Sequence, residues 1–249
     1  MKSRLLAHID HSRLHNLDNL APSFRRPAWD PNLQHSVPYM WGATGIIYQK
    51  TLSPAPDRWA SLWSPQLKGR LTMLDDPAEV LGAALKKLGF SLNSENPDEL
   101  AAAKKLLRAY LDAEVRDQLV AGDVLAAQLW TTTSAQAMQA SGELGFAFPA
   151  EGFPLYADCA AVLAESPRQV LAHTFIDYLL RPDVAAEIAS ATRTATANAQ
   201  ARALLSKADH DDQVLYPGSD VLNRGEWFRA ISASGQQLRD RIWTEIKSA

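Results

Sequence analysis

The chain has 249 residues, 47% of them apolar and 21% charged, with a formal net charge of −3. That composition excludes wholesale disorder and a basic nucleic-acid surface, and no apolar run reaches the roughly 20 residues that cross a bilayer. A single cysteine, Cys159, excludes an internal disulfide framework and any zinc site built from cysteines.

Residues 1–36 are polar, with Pro22, Pro27 and Pro31 as breakers. The start, Met1-Lys2-Ser3-Arg4, has the charge of a signal peptide, but His8 and Asp10 follow Leu5-Leu6-Ala7 at once and leave no apolar region. His8, His11 and His15 would share one helical face, but the Asp, Ser and Asn residues around them form turns and caps, which favours a solvated turn over a metal site.

Val37 to Tyr48 is an apolar stretch in which Gly42 and Gly45 suggest a bulge or a close backbone approach. Trp59 and Trp63 are spaced to share one face of a short helix. Leu71 to Leu74 is a strand candidate that runs into Asp75-Asp76.

The helix that follows has Asp76 as N-cap, Pro77 in the first position and Glu79 in the third, a capping-box pattern. Val80, Leu81, Ala84, Leu85 and Leu88 recur at helical spacing, and Gly89 ends the run. A second helix is predicted from Asn96-Pro97 to about Ala113.

Asp123 to Trp130 reads as a buried strand and Thr131 to Ala140 as the helix after it. Gly145 to Phe148 and Tyr156 to Leu163 are further strands, Ser166-Pro167 opens a helix to Leu180, and Arg181-Pro182-Asp183 starts another. The last helix is predicted from Glu226 to Lys247. Alternating strands and helices predict an α/β protein with a mostly parallel sheet.

No dinucleotide, phosphate-loop, nucleophile-elbow or metalloprotease motif is present. Cys159 lies in an apolar strand and reads as packing. What remains is acidic and aromatic. Asp75, Asp76 and Glu79 stand at a strand-to-helix junction, Trp130 closes another strand, and Tyr156 and Asp158 begin a third. Carboxylates accept the N–H groups of an amine cation and ring faces attract its charge. Asp76 and Glu79 could equally do no more than cap their helix, and the two roles can coexist.

Several ordered segments carry a resemblance. They are Ser36-Val37-Pro38-Tyr39-Met40-Trp41-Gly42-Ala43-Thr44-Gly45-Ile46, Trp59-Ala60-Ser61-Leu62-Trp63, Leu74-Asp75-Asp76-Pro77-Ala78-Glu79-Val80 and Phe175-Ile176-Asp177-Tyr178-Leu179-Leu180-Arg181-Pro182-Asp183. With Leu215-Tyr216-Pro217 and Gly225-Glu226-Trp227 they resemble the polyamine-binding (spermidine/putrescine) solute-binding proteins of ABC importers across nearly the whole chain.

The resemblance implies a two-lobe α/β fold of the periplasmic-binding-protein type II kind. Residues 46–155 would form the second lobe, and 1–45 with 157–249 the remainder of the first. It also implies that the signal peptide and the opening units of the first lobe are missing. That lobe would be incomplete and prone to self-association through unpaired strand edges.

Carried over residue by residue, Asp76 and Glu79 match carboxylates that hold an amine, Trp130 an aromatic wall and Asp158 the central carboxylate. Tyr156 takes a place often held by Trp, while Thr194 and Phe228 depart from the family pattern. The implied function is capture of a putrescine- or spermidine-type cation in an interlobe cleft, in the periplasm, for permease subunits. No cofactor, metal, nucleic acid or catalysis is expected. Two rivals stay open: a remnant that binds nothing, and a metal-dependent or hydrolytic enzyme on the same lobes.

Overall fold

The computed structural model describes residues 5–108 and 124–248. In chain order the strands are β1 (Val37–Gln49), β2 (Leu71–Thr72), β3 (Ala126–Trp130), β4 (Leu144–Ala147), β5 (Phe153–Ala160), β6 (Ala195–Thr196) and β7 (Gly225–Trp227). The longer helices are α1 (Pro77–Lys87), α2 (Pro97–Arg108), α3 (Thr131–Ala140), α4 (Gln169–Leu179), α5 (Pro182–Thr192) and α6 (Ala233–Lys247). The end predicted for the second helix, residues 109–113, lies outside the described residues. Trp59–Trp63 forms a 3₁₀ turn instead of an α-helix, with Trp59 wholly buried.

Two compact units emerge: Met1–Gly42 with Tyr156–Tyr216, and Ala43–Leu155 with Pro217–Ala249. Two of the divisions fall inside strands β1 and β5 and the third between Tyr216 and Pro217. The expected partition placed 217–249 with the first lobe; here that segment packs with residues 43–155. The physical reason is visible on α6. Ile242 and Ile246, one turn apart, bury in a core with Val80, Leu81, Leu85, Leu100 and Leu107 of α1 and α2. Each such side chain contributes about 1.5–3 kcal/mol on burial.

In this larger unit β1 pairs antiparallel with β3 and with β4, β2 runs parallel to β3, and β5 runs parallel to β7. The described pairings are therefore mixed, and the expected mostly parallel sheet is not observed. Residues 41–47 of β1 are buried without interruption, as for a strand covered on both faces. Gly45 lies under the Phe146 ring and the Ala147 carbonyl, where a Cβ would collide with both, so the close approach predicted from its glycine is present.

β7 corrects the predicted start of the last helix. Gly225–Trp227 pairs with Phe153–Leu155, and the helix begins only after Ser232, whose side chain accepts from the Gly235 N–H. Likewise β5 starts at Phe153, three residues before the predicted Tyr156, because its first three residues find partners in β7.

The smaller unit is tied by side chains to backbone. β6 pairs antiparallel with β1 at Met40 and Trp41. The Asp177 carboxylate of α4 accepts from Asn16 N and Nδ2 at 2.8 and 3.0 Å, and Asn198 Nδ2 donates to Leu180 O at 2.8 Å. Near the amino terminus Asp10 caps a short 3₁₀ turn, His11–Arg13, in agreement with the turn reading of that histidine-bearing stretch.

Candidate ligand-binding site

The start of α1 carries two of the predicted residues, and they behave differently. Asp76 is the N-cap: its Oδ1 accepts from Ala78 N at 2.8 Å and Glu79 N at 3.0 Å. Glu79 makes no return bond to the cap. Its side chain turns inward, where Oε1 accepts from Thr44 Oγ1 at 2.9 Å and Trp130 Nε1 at 3.0 Å. The antiparallel register explains that convergence, because Thr44 on β1 stands directly opposite Trp130 on β3. One strand pair supplies both donors, and the first turn of α1 supplies the acceptor.

Glu79 is 4% exposed, and its other oxygen, Oε2, is buried with no hydrogen-bond partner among the described residues. Burial pushes its carboxyl from the ordinary value of 4.5 up to about 7. The Trp130 and Thr44 donors pull against that rise, and the charge of Asp76 adds to it. Trp130 keeps its N–H directed to Glu79 while 36% of the residue stays exposed, so ring surface remains available to a ligand.

Gln128, two residues before Trp130 and therefore on the same face of β3, donates from Nε2 to the Glu79 carbonyl at 2.9 Å. Its Oε1 is also buried without a partner. Thr131 Oγ1, at the start of α3, accepts from Ala43 N at 3.1 Å and anchors β1 beside the site.

Asp76, Glu79 and Trp130 thus sit at one junction of the larger unit. Tyr156 and Asp158 belong to the smaller unit, on one face of β5. Asp158 is exposed, yet the protein around it raises its carboxyl above the usual range. Tyr39, half-buried on β1, is raised by burial and then by the charges of Asp158 and Cys159. Asp75 turns outward and its carboxylate accepts from Lys247 Nζ at 2.6 Å.

Thr194 is buried, and Phe228 continues the strand pairing through its N–H to Leu155 O at 3.3 Å. Burial pushes the Cys159 thiol up to about 11, which leaves little thiolate for nucleophilic chemistry at neutral pH.

Sequence reasoning missed Thr44 and Gln128. A hydroxyl inside an apolar run and an amide within a buried strand were the available signals. Both are polar side chains at core positions, which normally have partners to satisfy.

Residues 1–214 match the family model described as bacterial extracellular solute-binding protein. A spermidine/putrescine-binding periplasmic protein of Escherichia coli K12 is 35% identical over 256 residues, covering 99% of this chain and 73% of that protein. The structure of a spermidine/putrescine ABC transporter protein from Listeria monocytogenes superposes with a TM-score of 0.91 at 31% identity, covering 98% of this chain and 78% of that one. The spermidine/putrescine ABC transporter substrate-binding protein of Streptococcus pneumoniae gives a TM-score of 0.84 at 26% identity, with the same coverage.

Proposed function

The chain belongs to the bacterial extracellular solute-binding protein family, and on that premise we propose that it binds a di- or polyamine of the putrescine or spermidine class for an ABC importer. The observation that carries this reading is Glu79: a buried carboxylate with one oxygen held by Thr44 and Trp130 and the other lacking any donor. An alkylammonium has three N–H donors and one positive charge to offer such an oxygen, and its methylene chain suits the exposed Trp130 ring.

Asp76 adds negative charge at the same junction, so an anionic ligand meets like charge. A sugar brings hydroxyl donors but no charge to match the carboxylate. Tyr156 and Asp158 enter the proposal as a second aromatic and carboxylate pair, to be tested by their own substitutions. The names of the relatives support the same ligand class.

The partners in this reading are the amine and the permease subunits of the importer, and the place of action is outside the cytoplasmic membrane. The role is binding, not catalysis. Self-association belongs to the same reading, since α4 leaves Leu171, Phe175 and Tyr178 exposed at i, i+4 and i+7. Sedimentation of the chain with and without amine reads that directly.

Calorimetric titration with putrescine, spermidine, glutamate and glucose tests the ligand class. Saturable heat with the amines and none with the other two is the expected result. Tight binding of glutamate or glucose with no response to either amine overturns the reading.

A further inference from the structure

Glu79 is unusual among the carboxylates of this chain in how little its surroundings do for its charge. Oε1 is satisfied twice, Oε2 not at all, and the residue is almost fully buried. Among the described residues, the elements packed around it bring no compensating cation. From its own helix Asp76 faces it with like charge. From β1 and β3 it meets Thr44, Gln128 and Trp130, all uncharged.

The Trp59–Trp63 turn, α2 and α6 also pack on α1. On α1 itself Lys86 pairs with Glu226 and Lys87 lies over the Trp63 ring at 5.2 Å; Lys104 of α2 pairs with Glu245, Arg239 of α6 donates to Leu92 O and Ser94 O, and Lys247 of α6 bonds Asp75. A buried carboxylate in that position is costly, while a neutral carboxyl with an unbonded hydroxyl costs far less.

We propose that this site exchanges a proton for its cation: the ligand-free chain holds the buried, half-satisfied Glu79 as the neutral acid, and an arriving primary ammonium takes the place of that proton on Oε2. The inference rests on the amine-binding reading above and specifies how that site is regulated. The balance is simple. Glu79–COOH and R–NH₃⁺ give the ion pair Glu79–COO⁻···⁺H₃N–R and one H⁺ released to solvent; only the carboxyl O–H bond breaks.

The amine itself stays charged throughout, because alkylammonium groups titrate near pH 10. The raised titration of Glu79 is consistent with this geometry and places the exchange around neutrality. The consequence is directional: capture is strongest above neutral pH and release is favoured by acid.

The test uses the full chain and putrescine. Calorimetric titrations at pH 6, 7 and 8, each in two buffers of different ionisation enthalpy, count the protons released. About 0.9 proton per amine is expected at pH 6 and about 0.1 at pH 8, with affinity about tenfold weaker at pH 6. Carboxyl ¹³C NMR of the ligand-free chain, assigned by Glu79→Gln, should show one glutamate titrating near pH 7 that disappears in the variant.

Putrescine binding with equal affinity at pH 6 and 8 and buffer-independent heat leaves the amine-binding reading intact and overturns the exchange. Titration of Glu79 below pH 5 in the ligand-free chain, or a pH dependence that survives Glu79→Gln, does the same. No binding of putrescine or spermidine at pH 8 overturns the amine-binding reading itself, and the exchange with it.

Discussion

Two acidic positions show how differently this chain treats a carboxylate. In the smaller unit, Asp30 organises a loop. Its Oδ1 accepts from Gln34 N at 2.9 Å, and its Oδ2 accepts from His35 N at 2.8 Å and from Ser36 N and Oγ at 2.9 and 3.1 Å. Desolvation works to raise its carboxyl, but these bonds outweigh it and hold the group below the usual carboxylate range. In the larger unit Glu79 is more deeply buried, has two donors on one oxygen and none on the other, and is pushed up to about 7. Asp30 is finished within its own loop, whereas Glu79 is left short of donors. On the proposed reading, that remaining acceptor capacity is what separates the ligand carboxylate from the structural one.

Glu79→Gln tests the contrast between the two carboxylates most severely. Loss of the charge should weaken putrescine binding on the order of 100-fold at pH 8, measured by calorimetry. It should also change how stability depends on pH. The folded value of Glu79 lies above its unfolded value, so its stabilising effect is complete below about pH 4.5 and is lost as pH rises through about 7. Between pH 4 and 8 the stability of the wild type relative to the variant should fall by about 3 kcal/mol in urea unfolding. A flat difference over that range would place Glu79 with Asp30 as a satisfied group.

Asp30→Ala probes the other side. It strips three backbone N–H groups and a hydroxyl of their acceptor, and about 2–3 kcal/mol of stability should go with them. Amine affinity should not change by more than about twofold. The pH sign is opposite to that of Glu79: the folded value lies below the unfolded one, so this stabilisation is present above about pH 4 and fades as the pH drops further. An affinity loss as large as that of Glu79→Gln would dissolve the distinction between the two carboxylates.

How far the sequence reaches follows the range of the forces involved. Helix α1 was legible because its signals are local: Asp76, Pro77 and the Val80–Leu85 spacing act within a few residues, and they place its start correctly. The same is true of α3, which spans Thr131–Ala140 as predicted; the strand before it was expected from Asp123, outside the described residues, and begins at Ala126. Strand direction was not legible. Whether β1 runs with or against β3 depends on Thr44 meeting Trp130, 86 residues later, and periodicity does not encode that pairing. β7 was misplaced because three residues owe their extended form to Phe153–Leu155, far away in sequence.

At the site, the sequence marked Asp76, Glu79 and Trp130, but left open whether Glu79 caps its helix or faces a ligand. The Thr44 and Trp130 donors draw the Glu79 side chain inward, away from the cap, and both come from other elements; that it faces a ligand is the proposal above.

Thr44→Val removes one of the two donors from Glu79 Oε1. Valine is close to threonine in shape, so at this wholly buried position the change is chiefly loss of the hydroxyl donor. Trp130 Nε1 remains as the single donor, and the charged form of Glu79 loses stabilisation. The titration of Glu79 should move further upward, and putrescine affinity at pH 7 should drop by about three- to tenfold, on the scale of one lost hydrogen bond. Carboxyl ¹³C shifts in the ligand-free variant report the first, calorimetry the second.

The smallest effect is expected at Asp76, where cap and charge can be separated. Asp76→Asn keeps a side-chain oxygen for the Ala78 and Glu79 N–H groups, and asparagine caps helices about as well as aspartate. Stability should therefore stay within about 0.5 kcal/mol of the wild type, whereas Asp76→Ala should lose about 1 kcal/mol with the cap. What the asparagine does remove is the like charge beside Glu79. That charge is the weakest of the influences on Glu79, so its carboxyl should titrate only slightly lower in the variant. Putrescine should bind a few-fold more weakly at pH 8, where Glu79 is already ionised and the lost charge acts on the ligand alone. At pH 6 the easier ionisation of Glu79 should offset part of that loss. The ratio of wild-type to variant affinity should consequently be smaller at pH 6 than at pH 8, and a ratio that grows on acidification would show that Asp76 holds the amine without acting through Glu79.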